Sequence, residues 1–314
     1  MAAPNILIVG ATGKQGRSVV DALLGDETPN SPLKLLCLTR DPSSPSAQAL
    51  LESHPNAGIE LVKGDLTEPE AIFSQWSKGH VSGVFLYTIP GKVDEDKQGI
   101  PFIDAAVAHG VKHIVFSSVD RGGDEKSWTN PTDVKHFYQK HNVEMHLRDK
   151  GLASPHDTFT WTILRPVAFM DNWNPGFFAS AFTAMLNSGL TPTKKLQVVS
   201  VRDIGVFASK ALNEPERWAG RAISLAGDEM TLSEAKERFR KVVGKELPQT
   251  WGILAKGMLW GVSELGAMFR FFEETGYGAD IAALSGEESS LQDFETWLRE
   301  SSGWKGEIEG KEEN

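Results

Sequence analysis

Through the first half of the chain, apolar residues fall in short unbroken runs separated by polar segments of helical length. NILIVG (5–10), LKLLCLT (33–39), IELVKG (59–64), GVFLYTI (83–89), KHIVFSS (112–118) and TWTILRP (160–166) read as six strands. Runs this continuously apolar are expected of parallel strands buried on both faces. Between them, residues 14–25, 46–54, 68–77, 96–110 and 131–151 have helical length, and several end at Gly, the preferred residue beyond a helix terminus. Alternating strand and helix predicts an α/β fold with a doubly wound parallel sheet and right-handed crossovers.

The pattern changes after Pro166. Residues 167–189 mix aromatics, Asn and Pro, and residues 195–244 then read strand, helix, strand, helix. We expect a first domain over 1–165 and a smaller α/β lobe over 166–304 that returns a strand to the large sheet. A charged tail over 305–314 (KGEIEGKEEN) reads as frayed. The most apolar stretch, 251–272, contains Lys256, Glu264 and Arg270, so it reads as an amphipathic helix rather than a membrane span.

Composition narrows the function classes. With 42 acidic and 32 basic residues the formal charge is −10, and no lysine run stands out, which disfavours direct nucleic-acid binding. The single cysteine, Cys37, excludes an intramolecular disulfide and reads as a buried structural thiol. The spacing of the histidines supports no metal site. No signal peptide is evident, and a cytoplasmic location, with a nuclear one also compatible, is the expectation.

Candidate chemistry begins at Gly10, Gly13 and Gly16, a G-x-x-G-x-x-G pattern between the first strand and the first helix. A tight turn, close backbone approach and a helix N-terminus make a cradle for a pyrophosphate, so Gly10, Ala11, Thr12, Gly13, Lys14, Gln15 and Gly16 are candidate dinucleotide contacts. At the end of the second strand, Arg40 suits the 2′-phosphate of NADP(H). A plain surface arginine is the alternative there, and Asp41 as a ribose ligand would favour NAD. Asp65, after the third strand, is either an adenine contact or a helix cap. Thr88, Ile89 and Pro90 close the fourth strand, where such folds bind ligands.

These residues, together with HIVFSSVDRGG (113–123), HFYQKHNVEMHLRD (136–149), TILRPVAFMDNW (162–173) and VSVRDIGVFASKAL (199–212), resemble the NmrA-like family. Its members are atypical short-chain dehydrogenases with a Rossmann sheet, and they include regulatory partners, redox sensors and oxidoreductases of secondary metabolism. The resemblance implies cofactor contacts from the glycine turn, Arg40, Asp65, Leu66, Thr88 to Pro90, Lys140, and Phe169, Met170, Asp171 and Asn172.

Ordinary short-chain dehydrogenases place a tyrosine four residues before the lysine. Here His136 stands there, and Tyr138 lies about 200° around the helix from Lys140. Lys140, with His136 or Ser117, is the candidate acid–base set, as in relatives that work without the tyrosine. A packed histidine and a solvated lysine are the plain alternatives. The aromatics of 169–182 suit either a flat substrate or core packing. The expectation is an NADP(H)-dependent oxidoreductase acting on a small organic, secondary-metabolite-like substrate. The other expectation is a non-catalytic NADP(H) sensor that binds a transcription factor or another protein partner.

Overall fold

The computed structural model describes residues 4–25, 33–55, 57–91, 93–154, 158–250 and 263–312. All six expected strands are present: β1 (Asn5–Ile8), β2 (Lys34–Thr39), β3 (Ile59–Lys63), β4 (Gly83–Tyr87), β5 (His113–Ser117) and β6 (Thr160–Pro166). They pair in parallel, and with β9 (Arg221–Leu225) they form a seven-stranded sheet of order β3-β2-β1-β4-β5-β6-β9. The order reverses between β1 and β4, which makes the sheet doubly wound. Its core is the apolar runs themselves: Leu7, Ile8, Leu35, Leu36, Val84, Phe85, Ile114, Val115 and Ile163 are all fully or almost fully buried. Cys37 lies among them, and burial pushes its thiol up to about 12, so it stays a protonated packing group.

The connecting helices of this region are α1 (Lys14–Gly25), α2 (Pro45–Ser53), α3 (Pro69–Phe73), α4 (Glu95–Ala108) and α6 (Lys135–Ala153), with the short α5 (Asp124–Ser127) before the last. The chain divides into two compact units. The first holds Met1–Ser118, Gln139–Arg165 and Ile204–Ile223; the second holds Val119–Tyr138, Pro166–Asp203 and Ser224–Asn314. The change of pattern at Pro166 coincides with a unit boundary, while 119–138 and 204–223 fall on the other side from their chain neighbours.

The second unit contains a three-stranded sheet in which β8 (Leu196–Val199) pairs in parallel with β7 (Ala168–Phe169) and antiparallel with β10 (Asp228–Met230). Its core is aromatic: Trp173 packs edge-on against Phe182 and Phe294, and Phe294 stacks on Trp297. The buried carboxylate of Asp120 ties it together, accepting from the backbone N–H of Gly122, Gly123 and Gly278 and from the Ser224 hydroxyl. Residues 305–314, expected as a frayed tail, instead form a helix over Lys305–Glu312. Ile308 is buried there and Glu307 pairs with Lys245, which gives the segment a packed side. Of the expected helix over 251–272, residues 251–262 lie outside the described residues, and Ser263–Glu274 is helical. Among the described residues, no helix is long and apolar enough to cross a membrane.

One buried histidine gives the first unit a pH signature. His113 on β5 is 3% exposed, with Nδ1 2.8 Å from the Thr160 hydroxyl and Nε2 3.2 Å from the Thr162 hydroxyl. Thr162 donates to the Trp218 carbonyl, so Nε2 carries the proton and Nδ1 accepts, as in a neutral imidazole. Burial lowers its pKa to about 4. The unfolded chain takes up this proton below about pH 6.5, so the stabilisation is complete above that value and fades as pH falls towards 4. Buried Asp203 acts oppositely: burial raises it to about 6, and its contribution is lost as pH rises through 6. The wild-type profile is therefore flattened. In urea denaturation, the stability difference between wild type and His113→Gln should shrink by roughly 3 kcal/mol between pH 7 and pH 4. A constant difference would show that the native state takes up this proton as readily as the unfolded chain does.

Candidate functional site

The glycine turn follows β1 in the first unit. Gly10 adopts a φ of +61°, the left-handed region, and its carbonyl accepts from Gly13 N–H at 2.8 Å. Gly16 answers a different need. A side-chain carbon there would lie 2.6 Å from the Gly10 carbonyl carbon, so only glycine lets α1 lie this close to the turn. At Gly13 a side-chain carbon would meet the Tyr87 hydroxyl at 3.0 Å and the Gly10 carbonyl at 3.3 Å. α1 starts at Lys14, directly after the turn, and Arg17 N–H donates to the Gly13 carbonyl at 2.9 Å. Gln15, in the first turn of α1, accepts from the Ser117 hydroxyl at 2.6 Å, so the expected catalytic serine, 1% exposed, is committed to holding α1 against β5.

Arg40 follows β2, is exposed and forms no hydrogen bond or ion pair among the described residues. Its neighbour Asp41 is occupied: it accepts from the Ser43 hydroxyl and N–H, which hold its carboxyl below the usual range. Asp65 accepts from the N–H and hydroxyl of Thr67, again lowering its carboxyl, with a smaller contribution from the charge of Arg40. It therefore closes a turn before α3. Leu66 is buried core.

The centre of the site is a buried charge pair. Lys140 on α6 places Nζ 2.7 Å from Glu95 Oε2 and donates to the Thr88 hydroxyl at 3.0 Å, and that hydroxyl in turn donates to Glu95. Glu95 is 1% exposed, and its second oxygen, Oε1, is buried without a partner. Packing places the three residues. A side chain at Gly99 on α4 would strike Val143 of α6 and the methyl of Thr88, so glycine lets the two helices and the end of β4 converge. Glu95 lies one turn before Gly99, and Lys140 nearly one turn before Val143, so both reach Thr88. Glu144, one turn beyond Lys140, is fully buried and paired with Arg165 of β6 at 2.8 Å, which fixes the helix against the sheet. Gln139 accepts from Glu95 N–H and donates to Asp94, and Gln98 grips Ile89 through both backbone groups. Ile89 and Pro90 remain exposed.

The other expected site residues belong to the second unit. His136 lies 2.6 Å through Nδ1 from Glu264, and its backbone N–H donates to the same carboxylate. Met170 is fully buried in that unit's core, and Asp171 accepts from Val201 N–H at the start of the helix Val201–Asn213. Both therefore have structural work that the sequence did not reveal. Phe169 and Asn172 are half-buried. Of the aromatics, Trp173 and Phe182 are core, while Phe177 and Phe178 are exposed.

Because Lys140 and Glu95 compensate each other out of water, removing either leaves an unpaired charge. Glu95→Ala and Lys140→Met should each lower stability by roughly 3–5 kcal/mol, and Glu95→Leu/Lys140→Met by clearly less than the sum of the single losses. Urea denaturation of the set measures this, and additive losses would mean the pair is solvated.

Comparison with known proteins agrees with this architecture. A model of the NmrA-like family matches residues 3–298. The oxidoreductase FrzB of Cladobotryum sp, itself named for its NmrA-like domain, is 26% identical over 86% of this chain and 84% of its own. NmrA, a negative transcriptional regulator crystallised with NAD, superposes with a TM-score of 0.71 at 16% identity, over 99% of this chain and 98% of its own. The triphenylmethane reductase of Citrobacter sp., crystallised with NADP(H), gives 0.66 at 20% identity, over 93% of this chain and 98% of its own. With the doubly wound sheet, the glycine turn and a family match over nearly its whole length, the chain belongs to the NmrA-like family.

Proposed function

We propose that this protein is an NADP(H)-dependent oxidoreductase acting on a small organic substrate, of the kind handled in secondary metabolism. The observation that carries the reading is Lys140, buried and fixed by Glu95 and Thr88 at the same edge of the sheet as the glycine turn. An ammonium is costly to bury, and here Glu95 and Thr88 hold one at the end of β4. The turn fits a dinucleotide: Gly10 and Gly16 close it on itself, and Gly13 leaves room in front of the Tyr87 hydroxyl that a side chain would fill. Arg40, exposed and unengaged, would pair with the 2′-phosphate, since Asp41 is committed to Ser43. FrzB, by its name an oxidoreductase, supports the activity, and the reductase crystallised with NADP(H) supports the cofactor.

When bound, the nicotinamide supplies or accepts the hydride. The chain's own part is to hold the ribose with Lys140 and to keep a proton on Lys140 Nζ beside the reacting centre. Glu95 neutralises that charge, and Thr88 fixes its direction. Ser117 and His136 are assigned no proton, since one hydroxyl serves Gln15 and the imidazole serves Glu264. That second engagement is also what favours the other reading, a non-catalytic NADP(H) sensor with a protein partner.

Calorimetry should find NADPH bound more tightly than NADH, and Arg40→Ala should erase roughly 2–3 kcal/mol of that preference. Equal affinities in the wild type would remove Arg40 from the site. Stopped-flow oxidation of NADPH against carbonyls, quinones and conjugated alkenes then separates the two readings. Turnover lost in Lys140→Arg, with NADPH affinity retained, identifies the enzyme; silence across the panel favours the sensor.

A further inference from the structure

We propose that Tyr87 is a dinucleotide-binding residue, its hydroxyl donating to the pyrophosphate held over the glycine turn. The inference rests on the dinucleotide reading above and adds a side chain to what is otherwise a backbone cradle.

Tyr87 is the last residue of β4, whose neighbour in the sheet is β1, the strand that leads into the turn. Its phenol lies directly on that turn. A side-chain carbon at Gly10 would come within 2.6 Å of the ring, and one at Gly13 within 3.0 Å of the hydroxyl oxygen. The ring is supported by Phe85 at 6.3 Å between centroids. The hydroxyl has no hydrogen-bond partner among the described residues. Tyr87 is half-buried and its hydroxyl still reaches water, which a bound acceptor would replace. Burial raises the pKa of Tyr87, so near neutral pH the oxygen carries its proton and acts as a donor.

α1 begins directly after Gly13, so the positive end of its dipole lies beside this hydroxyl, and among the described residues no carboxylate takes the phenol proton. A phenol donor at such a helix start fits an anion. Arg40 and Asp65 follow β2 and β3, so the pyrophosphate, between adenosine and nicotinamide, is the anionic part that reaches Gly13.

The test is calorimetry of Tyr87→Phe with three probes: NADPH, ADP, which carries a diphosphate without nicotinamide, and 2′-AMP, which carries the ribose phosphate without a diphosphate. The expected result is a loss of about tenfold or more for NADPH and ADP, no change for 2′-AMP, and an unaltered ratio of NADPH to NADH affinity. Unchanged or tighter binding of NADPH and ADP by the variant overturns the proposal, since the phenol would then be a spacer or a plug. Equal weakening of all three probes also overturns it, because the ring would then be shaping the whole site. Tyr87→Leu guards against a folding artefact: with its melting curve intact it should match Tyr87→Phe on ADP. Absence of NADPH binding by the wild type would instead reject the dinucleotide reading itself.

Discussion

An ammonium largely withdrawn from water is tolerable only beside a compensating charge, and the architecture of the first unit converges on meeting that condition for Lys140. Glu95 supplies the carboxylate, Thr88 the hydroxyl between them, and each comes from a different element: α6, α4 and the end of β4. A pair assembled from three separate elements needs each of them held closely, because at low dielectric a small displacement changes the interaction steeply. The buried Glu144–Arg165 pair holds α6 to β6, and Gly99 holds α4 to both other elements. Gln139 and Gln98 fasten the start of α4 and the loop before it. Polar contacts that look scattered along the chain thus share one task.

The glycine turn solves a problem of volume. Gly10 and Gly16 are compelled by the backbone itself, one by its dihedral and the other by the nearness of α1. Gly13 instead keeps a side chain away from the Tyr87 hydroxyl. The hydrogen bond from Gly13 N–H to the Gly10 carbonyl closes the turn on itself.

The first six strands were legible because a strand buried on both faces must be apolar at nearly every position, which leaves an unbroken run in the sequence. The glycine turn was legible for a related reason: a left-handed residue and a close helix approach restrict the residue type locally. Glu95 was not legible, since its partner lies 45 positions later and an acidic residue in the first turn of a helix has an ordinary reason to be there. Lys140 was singled out through family resemblance, whereas its burial against Glu95 depends on Gly99 letting α4 and α6 converge. Met170 and Asp171 were read as site residues, but one fills a core and the other caps a helix. The terminal helix was missed because its apolar contribution rests chiefly on Ile308 in a run dominated by charge.

The end of β4 ties two duties to a single register. Adjacent side chains of a strand point to opposite faces, and here Tyr87 meets the glycine turn while Thr88 meets α4 and α6. The strand is locked on one side by β1, with Ile8 opposite Phe85, and on the other by β5, with Tyr87 opposite Ser117. A shift of one residue would exchange the two faces, presenting a small hydroxyl to the turn and a bulky ring to the lysine. Insertions or deletions between residues 83 and 88 are therefore forbidden in a way that point substitutions are not, and relatives that differ in function should vary here by side-chain identity while keeping the length of the strand.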